Sequence, residues 1–287
     1  MPSLKELKTR IQSVNSTQKI TSAMKMVSSV KLMKAEKAVS SYMPYEQALS
    51  KIMKNYLISQ PDEIASPFME VRPVHHEAIV VFASNTSLCG TYNSNIVKMF
   101  DNYVEGAIQK KESLLVFAIG KKVLDASRKA NLNVAGNFEE IANLPTFNNV
   151  KPIADELMSM FLNKEIDRVQ LIYSHYINKG SQKLVSEPLL PFKIAEEQLP
   201  TIKFLNDYII EPSSEEIEEL LIPLAIRAKL YSAALQAHAS EHAARTIAMQ
   251  IATDNADNLL HDLSLQYNKV RQESITNQIL DIIGGSL

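Results

Sequence analysis

The chain has 287 residues, 46% of them hydrophobic, with 30 Lys and Arg set against 32 Asp and Glu for a net charge of −2. That near-neutral balance gives no overall electrostatic reason to bind nucleic acid, a single cysteine excludes an internal disulfide, and charged residues interrupt every apolar stretch before it could span a membrane. The first residues carry a helical pattern, not that of a signal peptide.

Residues 1–57 contain no glycine, and Ser3 with Glu6, right after Pro2, has the spacing of a capping box that starts a helix. Leu4, Leu7, Ile11 and Val14 recur at alternating steps of three and four residues. Ile20, Ala23, Val27 and Val30 resume the pattern in shifted register, which reads as a heptad stripe with a slip near Gln18. Pro44 is expected to kink this helix, because it removes a backbone hydrogen bond and clashes with the preceding turn.

Residues 58–212 have a different character. Every glycine outside the last four residues lies here, from Gly90 to Gly180. Residues 78–83 and 114–119 are continuous apolar runs, as expected of strands buried on both faces. Each leads through a glycine into a helical pattern, over 93–110 and 121–129, and a third helix fits 152–162. Residues 169–173 and 183–186 flank Asn178-Lys-Gly180 and read as a β-hairpin. The region is expected to be an α/β domain with a mostly parallel sheet and an antiparallel edge, joined to its surroundings by proline-rich stretches at 58–75 and 188–212.

From Ser213 to Ile283 there is no glycine and one proline, Pro223. Ser213 with Glu216 repeats the capping-box spacing, and Gly284-Gly285 suits a helix C-terminus. At 1.5 Å per residue this is a rod of about 100 Å. Its stripe, Leu221, Leu224, Ala228, Tyr231, Leu235, then Met249, Ala252, Ala256, Leu259 and Leu263, answers that of the first helix. Residues 1–57 hold ten basic against three acidic residues and 213–287 five against ten, so opposite charge favours the pairing. One intervening domain joins the same end of both helices, so they must run antiparallel. The second is longer, and its tip around Ile279, Ile282 and Ile283 is expected to project alone as an apolar binding surface.

Several constellations could carry chemistry. His238-Ala-Ser-Glu-His242 fits an inverted zinc-protease pattern, yet both histidines fall between Leu235 and Met249 on the stripe, where polar residues commonly set register. Cys89 follows a strand and precedes a helix, a place where a thiol can be activated; buried packing is the plainer reading. Neither G-x-G-x-x-G nor the P-loop motif occurs, so the α/β domain reads as a nucleotide-free scaffold. The lysines of residues 5–37 lack interleaved aromatics, and the acidic run at 215–219 reads as favourable charge at a helix N-terminus. Arg245, Asp254, Asn255, Asn258, Asn268, Arg271, Gln272 and Thr276 form a polar set on an alanine-rich helix. Asn and Asp are weak helix formers, so their presence points to contacts beyond the rod.

The segment Ile11-Gln-Ser-Val-Asn-Ser-Thr-Gln-Lys-Ile-Thr-Ser-Ala-Met-Lys-Met-Val27 closely resembles the N-terminal signature of the F-type ATP synthase γ subunit family. Ala239-Ser-Glu-His-Ala-Ala-Arg245, Ala252-Thr-Asp-Asn-Ala256 and Tyr267-Asn-Lys-Val-Arg-Gln272 with Ile275-Thr276 resemble its C-terminal signature. Leu88-Cys-Gly90, Asn93-Ser-Asn95 and Tyr208-Ile-Ile-Glu-Pro212 match in order between them, so the resemblance covers the whole chain. It implies an α/β fold class: a long antiparallel coiled coil of the terminal helices (1–57 and 213–287) with a central Rossmann-like α/β domain and its linkers (58–212). The implied role is that of a rotating, non-catalytic central stalk without a cofactor or metal of its own. Its implied partners are the ring of α and β subunits, the ε subunit and the membrane c-ring, on the cytoplasmic side of a bacterial plasma (inner) membrane. Met24, Lys25 and Arg245 resemble the coiled-coil positions that face the β-subunit levers. Asp254, Asn255, Arg271, Gln272 and Thr276 resemble a polar catch near the upper shaft, and Tyr208 resembles the residue at the foot near ε and the ring. The chain departs from the family at Ser84-Asn-Thr-Ser87, where Ser-Asp-Arg-Gly is common, and at Asn277-Gln278, where an acid is frequent. One cysteine makes the dithiol switch of photosynthetic forms impossible. Outside this family the pattern also suits a standalone coiled-coil adaptor, or an α/β-domain enzyme using Cys89.

Overall fold

The computed structural model describes residues 3–59, 66–193 and 214–284. Two long helices, α1 (Leu4–Ser59) and α6 (Ser214–Gly284), bracket a five-stranded α/β domain. The expected capping box starts α1: Ser3 N–H donates to Glu6 Oε2 at 3.0 Å, and Glu6 N–H donates to Ser3 Oγ at 3.2 Å. Helical structure continues through Pro44. Ser213 and Gly285, assigned to the caps of α6, lie outside the described residues.

The two helices pair antiparallel. Thr21 Oγ1 lies 2.9 Å from Thr253 Oγ1, and Ser232 Oγ donates to Glu46 Oε2 at 2.9 Å, so positions rise on one helix as they fall on the other. The seam on α1 runs Leu4, Leu7, Ile11, Val14, Gln18, Thr21, Lys25, Ser28, Leu32 and Ala35 in unbroken heptad steps, all buried or half-buried. The expected slip at Gln18 does not occur. Small hydroxyl residues carry the seam where apolar ones stop, and their protons are satisfied locally: Thr21 donates to Gln18 O, and Thr246 to His242 O. Ile20, Ala23, Val27 and Val30 lie on the opposite, exposed face. On α6 the seam past Met249 passes through Thr253, Ala256, Leu260 and Leu263, with Leu259 exposed. Among the described residues no ion pair joins α1 to α6, so shape and burial hold the pair, with net charge acting at longer range.

Between the helices come β1 (His76–Phe82), α2 (Tyr92–Gln109), β2 (Ser113–Ile119), α3 (Lys121–Lys129), β3 (Asn133–Val134), α4 (Glu139–Asn143), α5 (Phe147–Leu162), β4 (Arg168–Asn178) and β5 (Ser181–Leu190). The sheet order is β3-β2-β1-β4-β5, parallel except for the β4–β5 hairpin at one edge. Alternate residues explain the apolar runs. Ile79 and Val81 face α2 and α3 with Ile96, Phe100 and Val123, whereas Ala78, Val80 and Phe82 face α5 and the root of α6 with Leu157, Phe161, Ile222 and Ile226. The rod is therefore part of the second layer, which is why residues 222–246 are buried on nearly every side. α5 starts ahead of the expected Pro152 because Thr146 caps it, its Oγ1 accepting Asn149 N–H at 3.3 Å. β4 and β5 extend past the expected hairpin to reach α1, where the Tyr176 hydroxyl donates to Glu36.

Candidate functional site

The sheet order reverses at β1, and the C-terminal edge of such a switch point is where doubly wound sheets ordinarily open a ligand crevice. Here α6 fills it. Ser240 Oγ donates to Ser174 O at 2.8 Å, the Tyr92 hydroxyl donates to Ala237 O at 3.1 Å, and a side chain at Gly90 would meet Ala248 at 3.7 Å. The β1–α2 loop clamps onto the rod: Arg245, 7% exposed, donates to Glu241 Oε1 at 2.5 Å and to Thr86 Oγ1 at 2.9 Å. Asn85 fixes the same loop to the starts of α4 and α3, donating to Glu139 O at 2.8 Å and accepting Lys121 N–H at 3.0 Å. The departure at Ser84-Asn-Thr-Ser87 thus has its own internal logic, with Asn85 and Thr86 both engaged.

His238 and His242 belong to this joint. Their Nε2 atoms lie 3.1 Å apart, and His238 Nε2 lies 3.1 Å from Asn143 O. Burial holds both imidazoles neutral, pushing His238 down to about 4 and His242 to about 3, with Arg245 and Lys31 adding repulsion. Burial raises the Glu241 carboxyl, against the pull of Arg245. Among the described residues no group of three His, Cys, Asp or Glu side chains could hold a metal, and the histidine nitrogens meet each other and a carbonyl instead. Cys89 is 1% exposed, with Asn93 Nδ2 at 3.0 Å and no histidine beside it, so its surroundings are those of packing, not of an activated nucleophile.

The outward surfaces are of another kind. On α1, Ile20, Met26, Val27, Val30 and Met33 are all more than half exposed and point away from α6. Continuing the pairing at equal rise on both helices sets Leu4 opposite about residue 270, so α6 runs beyond the described part of α1 from there. Ile275, Ile279, Leu280, Ile282 and Ile283 are exposed on that tip, Ile282 at 73%. At about 100° per residue, Asp254 and Gln272 share one face five turns apart, with Asn258, Asn268 and Thr276 close to the same line. That face is opposite the seam.

Of the sequence-derived site residues, Met24 and Lys25 are half-buried on α1, Lys25 at a seam position. Arg245 is turned inward on Thr86 and Glu241. Asp254 and Asn255 are exposed on the paired part of the rod, with Gln250 Nε2 donating to Asp254 at 2.7 Å. Arg271, Gln272 and Thr276 are exposed further along the helix, about 25 to 33 Å along the axis from Asp254. Tyr208 lies outside the described residues. The outward apolar face of α1 is not the one expected from the sequence, since Ile20 and Val27 lie outside the seam. Strict heptad counting from Leu4 through the polar Gln18, Thr21 and Ser28 was the signal that separates the two stripes.

The ATP synthase family model matches residues 3–287. The chain is 48% identical over 290 residues to the ATP synthase gamma chain of Bacteroides fragilis and 46% identical over 298 residues to that of Bacteroides thetaiotaomicron, covering all of each chain. It is 41% identical to the gamma chain of Flavobacterium johnsoniae, covering 100% of this chain and 98% of that one. In fold it resembles a chain of the Euglena gracilis mitochondrial ATP synthase (TM-score 0.64, 19% identity, 99% of this chain and 93% of that one). It also resembles one from the central stalk and c-ring structure of the Tetrahymena thermophila enzyme (TM-score 0.61, 23% identity, 81% and 99%).

Proposed function

The chain belongs to the ATP synthase gamma-chain family, and from that premise we propose that it turns as the central shaft of the F1Fo complex, a subunit without catalytic groups of its own. The observation that carries this reading is apolar surface exposed among the described residues: the outward face of α1 from Ile20 to Met33 and the tip of α6 from Ile275 to Ile282. A ring of α and β subunits encloses both. The α/β domain stands below, against ε and the membrane c-ring, and the resemblance of the segment at 208–212 assigns Tyr208 to those contacts. No described helix is long and apolar enough to cross a membrane, so the chain joins a membrane-associated complex through its partners; the compartment we assign is the cytoplasmic face of a bacterial inner membrane.

Rotation driven by proton flow through the ring presents different faces of the shaft to each β subunit in turn. Met24 and Lys25 meet the β levers low on the rod. Asp254, Asn255, Arg271, Gln272 and Thr276 form the polar catch above them. Arg245 serves the lower contact from within, by holding Thr86. The shaft works by differential contact: a conformation of β that it touches better gains population. Inverting a two-state population from 1:99 to 99:1 takes about 5.5 kcal/mol. Covering an apolar side chain supplies about 1.5–3 kcal/mol, so two to four side chains that meet one state only are enough.

The test is to purify the chain with its own α and β subunits and measure ATP hydrolysis with and without it. The reading expects one copy per ring and turnover that depends on this chain. A chain that neither joins α and β nor changes their turnover would sink it.

A further inference from the structure

Above the sheet, α6 leaves the α/β domain. Among the described residues its buried positions past 250 are Thr253, Ala256 and Leu263, all on the seam with α1. Torque exchanged between domain and rod must therefore cross the stretch just below, where α6 is still enclosed. That stretch is smooth. Ala233, Ala234, Ala237, Ala239 and Ala243 are all buried there, and methyl groups offer few ridges to interlock. Apolar burial opposes separation but has no direction, so it resists the turning of a helix about its own axis only weakly. Hydrogen bonds do have direction.

Polar contacts reach α6 from different segments of the domain within residues 237–245. The Tyr92 hydroxyl of α2 donates to Ala237 O at 3.1 Å, and Ser240 Oγ donates to Ser174 O of β4 at 2.8 Å. His238 Nε2 lies 3.1 Å from Asn143 O at the end of α4, and Arg245 donates to Thr86 Oγ1 at 2.9 Å. At 100° per residue these positions spread over about 160° of the helix circumference. Counting at equal rise from the Thr21–Thr253 pair sets Glu36 of α1 level with His238, and there the Tyr176 hydroxyl of β4 donates to Glu36. The upper edge of the domain thus holds both helices at one level.

The Tyr92 hydroxyl is not needed to complete the fold. Ala237 O already accepts the N–H four residues on within α6, so a phenylalanine at 92 would leave no buried polar group without a partner. Ser240 is unusual among the hydroxyls of its helix. Thr246, Thr253, Ser264 and Thr276 all turn back to the carbonyl four residues earlier, whereas Ser240 reaches out to the sheet.

We propose that Tyr92 and Ser240 are positioning residues of the shaft, the keys that stop α6 turning in its sleeve and so carry torque between the α/β domain and the rod. The proposal rests on the shaft reading, and its test separates the two.

The chain carries a probe at Lys151→Cys, an exposed position on α5, attached before assembly; the native Cys89 is 1% exposed and does not compete for the label. It is assembled with its own α and β subunits, the ring is fixed to a surface, and a non-hydrolysable ATP analogue holds the catalytic sites. The angular spread of the probe is then recorded. Local opening of the joint adds a wide component beneath the main peak. Tyr92→Phe should raise the weight of that component by about fivefold to tenfold, the effect of losing one hydrogen bond, and Ser240→Ala should do the same. With ATP, both should turn the unloaded probe as the unchanged chain does. Ser127→Ala removes an equally buried hydroxyl, bonded to Val123 O inside α3 and away from the joint, and should leave the spread as it is. An unaltered spread in either Tyr92→Phe or Ser240→Ala, or an equal widening in Ser127→Ala, overturns the proposal. A probe on the unchanged chain that stands still while ATP is hydrolysed overturns the shaft reading instead.

Discussion

Acidification should loosen the joint between rod and α/β domain, and the structure sets the size of the effect. His238 and His242 are neutral in the folded chain, held down to about 4 and about 3, whereas an unfolded or opened joint returns them to the ordinary histidine value near 6.5. A base whose folded pKa is depressed contributes stability that is present above the unfolded value and lost as pH falls below it. At pH 5 the window is about 1.5 pH units for each histidine, about 2 kcal/mol apiece and about 4 for the pair. The opened state then gains about a thousandfold in population. The charged groups acting on the pair are Lys31 from α1 and Arg245 from α6; the domain side presents the Asn143 carbonyl to His238. Glu241, raised by burial, works in the opposite sense and offsets part of the loss. Hydrogen exchange of amides 237–246 at pH 7 and pH 5, corrected for intrinsic rates, reads the opening directly. The chain should lose protection by two to three orders of magnitude, about what the linkage arithmetic allows. His238→Gln with His242→Gln should remove most of that change. An equal loss in the double variant would refute the reasoning, because the histidines would then not be the groups that titrate.

Other expectations follow from single positions. Gly120→Ala should cost more than about 4 kcal/mol, measured by denaturant unfolding. Its φ of 106° suits glycine alone, and a Cβ would meet the Ala83 carbonyl oxygen at 2.1 Å. Val27→Lys should change the stability of the chain by no more than about 0.5 kcal/mol, since the side chain is exposed, yet it should lower assembly with α and β in a pull-down. Removing residues from Ile275 onward should leave the melting temperature of the chain within about 2 °C, because Ile275, Ile279, Leu280 and Ile282 are exposed. Coupling in the assembled enzyme should weaken before assembly does. Cys89→Ser should be close to neutral for ATP hydrolysis by the complex, because Cys89 is packed and not poised to react.

Much of the architecture was legible because each element obeys one dominant local rule. Alternation of buried faces made 78–83 and 114–119 continuous apolar runs, and the absence of glycine gave both long helices. The two-residue strand β3 and the short helix α4 escaped because two to five residues carry no readable period. The seam escaped for a different reason. Hydrophobicity alone marks apolar residues as inside, but in this rod Thr21, Ser28 and Thr253 are inside and Ile20, Val27 and Val30 are outside. Small hydroxyl side chains can be buried cheaply on a helix by bonding to their own backbone, while apolar ones can be exposed where a partner covers them. Arg245 shows the same limit. Its place in a signature suggests an outward contact, but the packing of α6 across the sheet edge turns it toward Thr86, and no pattern along the chain encodes that crossing.

The central claim is that this chain turns inside a stationary ring. It is tested most directly by fixing the α and β subunits to a surface, attaching a visible probe to a cysteine placed at the exposed Lys179 on the hairpin tip, and adding ATP. The account predicts stepwise rotation of the probe in one direction, at a rate that follows hydrolysis. Hydrolysis that proceeds while the probe stands still would contradict it.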